Sequence, residues 1–278
     1  MAPVEFPLPP AGARPWIYAN MIASRNGIVG WTPRGPEDNA VRSIAGADRS
    51  RPGRQQDREF MGYLRACADA VGVGAQTLRD EPSLRLTPDA LPGPGRTVVA
   101  DWRQAQGRRP CPLQVLYSAS GHVDLAAPMF NTEELMAIVV TSAAGARRLR
   151  EQGSEKRRVT LLVVGDDISP AEGLVRAHQQ LARDHGVRYL ECEGGERILQ
   201  SLHAANILDE VFVTVTDVDL DPEDRTGVRH IFAFEKESAM LVEEHRARDD
   251  AGYLFQRWRF TQPPTAQPPG GSRAHEYQ

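Results

Sequence analysis

The chain has 278 residues, of which 41% are hydrophobic and 25% charged, with a formal net charge of −4. This composition is typical of a globular protein with a large core, and the negative charge argues against a nucleic-acid-binding surface. No run approaches the roughly 18 apolar residues of a membrane-spanning helix, so no membrane association is expected. The three cysteines form no CxxC pair and favour a reducing, cytoplasmic location over a disulfide framework.

Strands and helices alternate between two proline-rich ends. Residues 1–14 and 261–278 have the composition of disordered tails, which leaves one domain over residues 15–260. Hydrophobic periodicity in the first half predicts, in chain order, a strand at 16–23, a long loop at 31–54, a helix at 57–68 and strands at 70–74, 113–118, 136–141 and 159–164.

The second half continues the alternation. A helix is predicted between the last two of those strands, ending at Gly153, and Ser169 to Glu172 has the residues of a capping box for a helix that ends at Gly186. The next predicted elements are a strand before Glu193, a helix at 196–204, a strand at 209–220 and an antiparallel pair at 239–247 and 252–260.

This order predicts an α/β fold with a mostly parallel central sheet, helices on both faces and an antiparallel C-terminal hairpin. In open sheets of this kind, ligands bind outside the carboxyl ends of the strands. Turns of small residues follow three of the predicted strands at this edge. They begin at Gly74, Ser118 and Gly194. A cleft of cofactor size is therefore expected there.

The segment ECEGGERILQSL (191–202) joins a strand to a helix through Gly194 and Gly195. Such a turn lets backbone N–H groups approach a phosphate, which the positive end of the helix dipole also favours. The alternative is a tight turn that only requires small residues.

Four stretches carry a resemblance to a known family. They are ANMIASRNG (19–27), DREFMGYLRACADAVGVGAQTLRDEP (57–82), LQVLYSASGHVD (113–124) and ECEGGERILQSLHAANILDEVFVTV (191–215). In this order they resemble the reductase domain of riboflavin biosynthesis, which has the dihydrofolate reductase fold. The zinc-dependent deaminase domain that often precedes it is absent from this sequence, so a stand-alone reductase is expected.

The resemblance implies a reaction and a set of site residues. The family reduces the ring-opened ribose of a phosphoribosylaminopyrimidine to ribityl with hydride from NADPH, NADH remaining possible here, and its members are homodimers. The implied catalytic residues are Glu193 and Asn20. The implied cofactor-binding residues are Gly74, Thr77, Ser118, Ser120, Gly194 and Gly195. The implied substrate-binding residues are Ser24, Asn26, Asp57, Asp80 and Arg85.

Each of these assignments has a simpler alternative. A carboxylate at a helix start, such as Glu193, also stabilises the helix dipole, and Asp57 is a good N-cap residue. An isolated arginine such as Arg85 is often only a surface residue. No metal site is expected, because the seven histidines are scattered without zinc-like spacing.

The chain departs from the family pattern around the ligands. Asn20 stands where bacterial members often have Lys, Asn26 replaces an Asp, and Ala119 replaces an Arg suited to the 2′-phosphate of NADPH. Arg79 and the arginines near position 108 are candidates to replace it, and the loop DLDPEDRTGVRH is longer and more acidic than usual.

Three further functions therefore stay open beside the leading hypothesis of a phosphoribosylaminopyrimidine reductase. The first is a reductase of another heterocycle or carbonyl compound in secondary metabolism. The second is a non-catalytic sensor of a nucleotide. The third is an oligomeric structural subunit with a vestigial cleft.

Overall fold

The computed structural model describes residues 12–35, 37–157, 159–165, 170–230 and 239–260. The strands are β1 (Trp16–Ala23), β2 (Ile28–Gly30), β3 (Ala70–Gly74), β4 (Leu113–Tyr117), β5 (Ala137–Ser142), β6 (Val159–Val164), β7 (Tyr189–Cys192), β8 (Glu210–Thr216), β9 (Arg229–His230), β10 (Ala239–Ala247) and β11 (Asp250–Phe260). The helices are α1 (Ala40–Ile44), α2 (Pro52–Cys67), α3 (Ala75–Asp80), α4 (Gly93–Ala105), α5 (Pro128–Asn131), α6 (Ala143–Glu151), α7 (Pro170–His185) and α8 (Glu196–Ala204). None of these helices is both long and apolar enough to cross a membrane.

Nine of the strands form one sheet in the order β10-β11-β8-β1-β7-β3-β4-β5-β6. The seven strands from β8 to β6 are parallel, β11 pairs antiparallel with β8, and β10 pairs antiparallel with β11. The predicted mixed sheet with a C-terminal hairpin is confirmed. Because the parallel strands share one direction, their carboxyl ends lie along one edge.

Helices cover both faces of the sheet, as the alternation predicted. On one face, α7 and α8 bury Leu181 and Leu199 against sheet residues such as Ile17. On the other face, α2, α3, α5 and α6 bury a second cluster that includes Leu64 and Tyr18. Neighbouring strand residues alternate between the two clusters, which is the period of two expected of strands covered on both sides.

The structure differs from the sequence prediction between residues 28 and 105. The expected loop at 31–54 contains α1, and α2 begins at Pro52, five residues before the predicted start, because proline is well suited to the first turn of a helix. Helices α3 and α4 were not predicted. Helix α4 begins Gly-Pro-Gly, a sequence that ordinarily indicates a loop.

A small unit beside the sheet contains the acidic loop that follows β8. Strand β2 pairs with β9, and Trp31, Ile44 and Leu220 are buried together in a separate cluster. The Arg225 guanidinium lies 4.5 Å from the centre of the Trp31 ring. The loop is therefore packed against residues 28–44.

Most of the two predicted tails, residues 1–11 and 261–278, lies outside the described residues. The expected N-cap Ser169 also lies outside them. Arg14, which the sequence assigns to the first tail, forms a bidentate ion pair with Asp209 at 2.7 and 2.8 Å. Gly153 and Gly186, predicted to end helices, adopt φ values of +83° and +67°.

A histidine is completely buried between α7 and the sheet. The Nδ1–H of His178 donates to the Leu174 carbonyl at 2.7 Å, so the neutral ring accepts the Tyr117 hydroxyl at Nε2, at 2.8 Å. Burial lowers the pKa of His178 from 6.5 to about 4. Both ring nitrogens have partners, which indicates a structural role.

Acidification is expected to destabilise the protein through His178. Between pH 6.5 and 4 the unfolded state binds a proton that the folded state does not, so stability falls as the pH decreases through this window. Between pH 7.5 and 5 the loss is about 2 kcal/mol, at about 1.4 kcal/mol per pKa unit. Urea unfolding of the wild type and of His178→Gln at pH 7.5 and at pH 5 measures this loss of unfolding free energy. An identical pH dependence in the two proteins would contradict the assignment.

Candidate active site

The Gly194–Gly195 turn is held against the carboxyl end of β3. The Glu193 N–H donates to the Gly72 carbonyl at 2.9 Å, and the Gly74 N–H donates to the Gly194 carbonyl at 2.8 Å. The Gly195 N–H lies 3.3 Å from the Thr77 hydroxyl. The structure thus brings together four of the six predicted cofactor-binding residues.

Open space lies above this turn. A Cβ added to Gly194, whose φ is +116°, would meet no atom within 4 Å, and one added to Gly195 would meet only the Thr77 hydroxyl at 3.7 Å. Helix α8 starts at Glu196, and its N-cap residue, Gly195, has no side chain to cap it. Uncapped N–H groups facing open space at a helix start suit the phosphates of a dinucleotide.

The other two predicted cofactor residues lie on the neighbouring strand end. The loop after β4 is fixed by bonds from the Thr141 hydroxyl to the Ser118 carbonyl, at 2.7 Å, and from the Ser142 hydroxyl to the Ala119 carbonyl, at 2.8 Å. Ser118 is buried, whereas Ala119 and Ser120 are exposed. Of the two predicted serines, Ser120 is the one accessible to a ligand.

Glu193 forms an ion pair that the sequence did not predict. The Arg65 guanidinium, from the last turn of α2, donates from Nη2 to Oε2 of Glu193 at 2.7 Å and from Nε to Oε1. Its Nη1 donates to the Thr87 carbonyl at 3.0 Å. Both side chains are about one-tenth exposed. The carboxylate is therefore oriented by the arginine and held close to the glycine turn.

A signal for this pair was present in the sequence. Arg65 interrupts an otherwise small and apolar helix end, LRACA, directly before a buried strand. A charged residue at such a position requires a buried partner. The partner was not identifiable, because Glu193 lies 128 residues away.

Asn20 lies next to Glu193. The pairing of β1 with β7 ends at Ala19 opposite Cys192, and the residues that follow these two along the chain are Asn20 and Glu193. Asn20 is half-buried and shares a strand face with Tyr18, which packs in the α2-side cluster. The two predicted catalytic residues are thus neighbours at the sheet edge.

Asp57 lies further along the same face. Its carboxyl is hydrogen-bonded to Thr214, which pairs with Ile22 of β1. Burial raises the pKa of Asp57 to about 6, against the lowering effects of the Thr214 bond and of Arg54. A carboxyl with this pKa carries its proton in about a tenth of the molecules at pH 7, far more than an unperturbed aspartic acid does.

The remaining predicted substrate residues are engaged elsewhere. The Ser24 hydroxyl donates to Oδ1 of Asn26 at 2.7 Å, and the Asn26 amide donates to the Leu220 carbonyl at 2.6 Å, so both residues hold the turn against the acidic loop. Asp80 is exposed and accepts from Gln76 at 2.7 Å. Arg85 is exposed and lies near Cys111, before β4, where it partly opposes the rise in the pKa of that thiol that burial causes.

Of the arginines expected near the Ser118–Gly121 loop, Arg79 lies beside it, whereas Arg108 is engaged elsewhere. Arg108 forms an ion pair with Asp69 at 3.2 Å and donates a hydrogen bond to the Cys67 carbonyl. Arg79 approaches the His122 carbonyl at 3.4 Å, and Arg148 of α6, which was not predicted, donates to the Ser120 carbonyl at 2.6 Å. Among the described residues, no group of three or more potential metal ligands occurs.

Solved structures of similar fold define the class to which this architecture belongs. A pyrimidine reductase-like protein from Corynebacterium diphtheriae superposes with a TM-score of 0.64 at 21% identity, over 90% of this chain and 93% of that one. A riboflavin biosynthesis reductase from Saccharomyces cerevisiae gives a TM-score of 0.56 at 13% identity, over 90% and 91%. The predicted fold, that of the dihydrofolate reductase-like reductase domains, is confirmed.

Sequence comparison identifies the family. The RibD C-terminal domain family matches residues 15–218. The 2,5-diamino-6-ribosylamino-4(3H)-pyrimidinone 5′-phosphate reductase of Archaeoglobus fulgidus is 27% identical over 199 residues, which are 71% of this chain and 78% of that one. The reductase of the same name from Aquifex aeolicus is 26% identical over 158 residues, covering 55% and 58%. The chain belongs to the RibD C-terminal domain family, and the predicted enzyme class, an oxidoreductase, is confirmed.

Proposed function

We propose that the protein reduces a phosphorylated ribosylaminopyrimidine of the riboflavin-pathway type with a nicotinamide cofactor. One observation carries the proposal: the Arg65–Glu193 ion pair and Asn20 lie directly beside the open Gly194–Gly195 turn. The two curated relatives, which are named as pyrimidinone phosphate reductases, support the choice of substrate class.

Some residues of the proposed site would bind the cofactor and others the substrate. A bound nicotinamide supplies the hydride. The N–H groups at the start of α8 would hold the pyrophosphate over Gly194 and Gly195, and Thr77 would border it. Glu193, fixed by Arg65, would accept hydrogen bonds from substrate hydroxyls, with the Asn20 amide beside it. Preorganised polar groups of this kind lower the barrier by positioning the reactants and stabilising developing charge.

A carboxyl with a raised pKa also lies in this region. Asp57, with its pKa raised to about 6 by burial, is suited to hydrogen-bond a substrate from the α2 side. Reduction of a carbonyl or imine requires a proton as well as a hydride, and such a carboxyl can hold one. We therefore retain Asp57 as a proposed substrate contact.

NADPH is the proposed cofactor because two exposed arginines border the Ser118–Gly121 loop. A cavity of about 190 Å³ beside it is lined by Arg79 and His122, among others, and Arg148 donates to the Ser120 carbonyl of the loop. Arginine donors pair with phosphate through charge-assisted hydrogen bonds. These two residues would replace the arginine that the family often has at the position of Ala119.

Arg148→Ala is expected to weaken NADPH binding about tenfold and to leave NADH binding unchanged, since one charge-assisted bond contributes roughly 1.5–3 kcal/mol. Titration of both cofactors by fluorescence measures the change. Arg147→Ala, an exposed arginine one position earlier on α6, is the matched control. An equal loss for both cofactors, or no loss, would contradict a role in reading the 2′-phosphate.

Homodimerisation is proposed through the exposed edge of the hairpin. Strand β10 ends the sheet, and Met240, Leu241 and Val242 on it are 54%, 41% and 39% exposed. An apolar edge strand is a template for pairing with a second chain. Sedimentation of wild type and Leu241→Lys tests this: a dimer that the substitution dissociates supports the interface, and a wild-type monomer rejects it.

We propose a cytoplasmic location because none of the three cysteines forms a disulfide bond. All three are free thiols in the structure, and two of them, Cys67 and Cys192, are buried. Free thiols persist in a reducing compartment.

The experiment that tests the function follows the absorbance of NADPH, and then of NADH, with 5-amino-6-(5-phosphoribosylamino)uracil as substrate. Steady loss of reduced cofactor supports the reductase. Cofactor binding without any consumption favours a different substrate or a nucleotide sensor, a reading to which the departures at Asn20, Asn26 and Ala119 lend weight. Failure to bind either cofactor rejects the proposal.

A further inference from the structure

Glu191 is a buried acid that the proposed mechanism does not use. It lies on β7 between Tyr18 of β1 and Val71 of β3, on the face covered by α2. Its side chain has no solvent exposure, and neither carboxyl oxygen has a hydrogen-bond partner. An unpaired buried polar group costs roughly 1–3 kcal/mol relative to a satisfied one. An apolar residue would suit this position better, which calls for a functional explanation.

The neighbours of Glu191 provide one. Glu193 follows β7 directly, two residues beyond Glu191, and Arg65, whose guanidinium binds Glu193, is close enough to act electrostatically on Glu191. Three of the five N–H groups of Arg65 are accounted for by Glu193 and Thr87. Two carboxyls close together in the chain therefore face one guanidinium that has donors to spare.

The charge around this pair is unbalanced. Glu81 at the end of α3 also acts on Arg65, so three carboxyls share one nearby cation. Burial raises the pKa of Glu191 well above its ordinary value, the charge of Glu193 raises it further, and Arg65 opposes both. Tyr18, Cys67 and Cys192 also interact electrostatically with Glu191. Asp69 and Arg108 in turn interact electrostatically with Tyr18. Burial and the charge of Glu193 thus both favour the neutral form of the Glu191 carboxyl.

We propose that Glu191 is a positioning residue for the reaction, acting through Arg65: its buried carboxyl competes with Glu193 for the guanidinium. The inference rests on the proposed function, because Glu193 is there the group that orients the substrate. While Glu191 is neutral, Arg65 remains with Glu193, as in the structure. Once Glu191 is ionised, a buried carboxylate without a partner draws Arg65 toward itself, and Glu193 loses its orientation.

The test compares the pH dependence of kcat/KM in the wild type, Glu191→Gln and Glu81→Gln. In the wild type, kcat/KM is expected to fall tenfold per pH unit above the ionisation of Glu191. Glu191→Gln is expected to stay within twofold over the same range, because its amide cannot ionise. Glu81→Gln, which alters the other carboxyl with a raised pKa near Arg65, is expected to retain the alkaline fall.

Unfolding measured across pH is the second readout and needs no substrate. A carboxyl whose folded pKa exceeds the unfolded value near 4.5 destabilises the protein progressively as the pH rises above 4.5. Glu191→Gln should therefore gain stability over the wild type with increasing pH. An unchanged alkaline fall in Glu191→Gln, or no fall in the wild type, overturns the inference and leaves the reductase standing. A wild type inactive at every pH overturns the proposed function and this role with it.

Discussion

Replacement of Arg65 by methionine is expected to lower kcat/KM for reduction by about 10²-fold or more. Methionine retains most of the buried aliphatic volume but removes all three hydrogen bonds that the guanidinium makes to Glu193 and Thr87. The Glu193 carboxylate is then left without the group that orients it beside Asn20. The loss should appear in steady-state kinetics with cofactor affinity unchanged, because the arginine contacts neither glycine of the turn.

The same substitution is expected to destabilise the fold. Removing one partner of a buried ion pair leaves an uncompensated charge, at a cost of about 3–5 kcal/mol. The double variant Arg65→Met/Glu193→Gln removes that charge and should recover much of the stability without recovering turnover. Arg183→Met, on the opposite face of the sheet and 72% exposed, is the matched control for both measurements. Recovery of turnover in the double variant would show that the pair is only structural.

Gly195→Ala is expected to weaken binding of the reduced cofactor by about 10²-fold, or roughly 2.7 kcal/mol. The added methyl would occupy the open space between the start of α8 and the bound phosphates, where the only protein atom within 4 Å is the Thr77 hydroxyl, at 3.7 Å. Phosphate binding at a helix start requires close approach to the backbone N–H groups, which the methyl prevents. Fluorescence titration with NADPH measures the loss.

Two glycine controls separate cofactor binding from folding. Gly93→Ala, at the start of α4, also places a methyl in open space and should leave cofactor binding unchanged. Gly194→Ala imposes a φ of +116° on a residue with a side chain and should chiefly lower the unfolding temperature. If Gly195→Ala bound the cofactor with the wild-type affinity, the dinucleotide would not bind at the Gly194–Gly195 turn.

Elements with a strong periodic pattern were predictable from the sequence. The run from β7 through the glycine pair to α8 was predicted with the bounds of the helix correct, because an apolar strand, two glycines and an amphipathic helix follow one another. Helix α4 was missed because its proline and glycine residues indicate a loop, whereas the structure packs its Val99 against Ala66 of α2.

The candidate site was predictable only in part. Gly194 and Gly195 were predicted because they stand between a strand and a helix, and Glu193 was predicted from the family resemblance. The Arg65–Glu193 pair depends on a contact across 128 residues, and the isolation of Glu191 depends on the register that sets it between Tyr18 and Val71. Neither a long-range contact nor a strand register can be derived from local spacing, so the electrostatics of the site required the structure.

Isotope transfer tests directly whether the protein transfers hydride from a nicotinamide cofactor to this substrate. The protein would be incubated with the phosphoribosylaminouracil and each C4-deuterated epimer of NADPH in turn, and the product would be analysed by mass spectrometry. We expect a ribityl product that carries one deuterium from one of the two epimers. A product without deuterium from either epimer, or oxidation of the cofactor with the substrate unchanged, would contradict it.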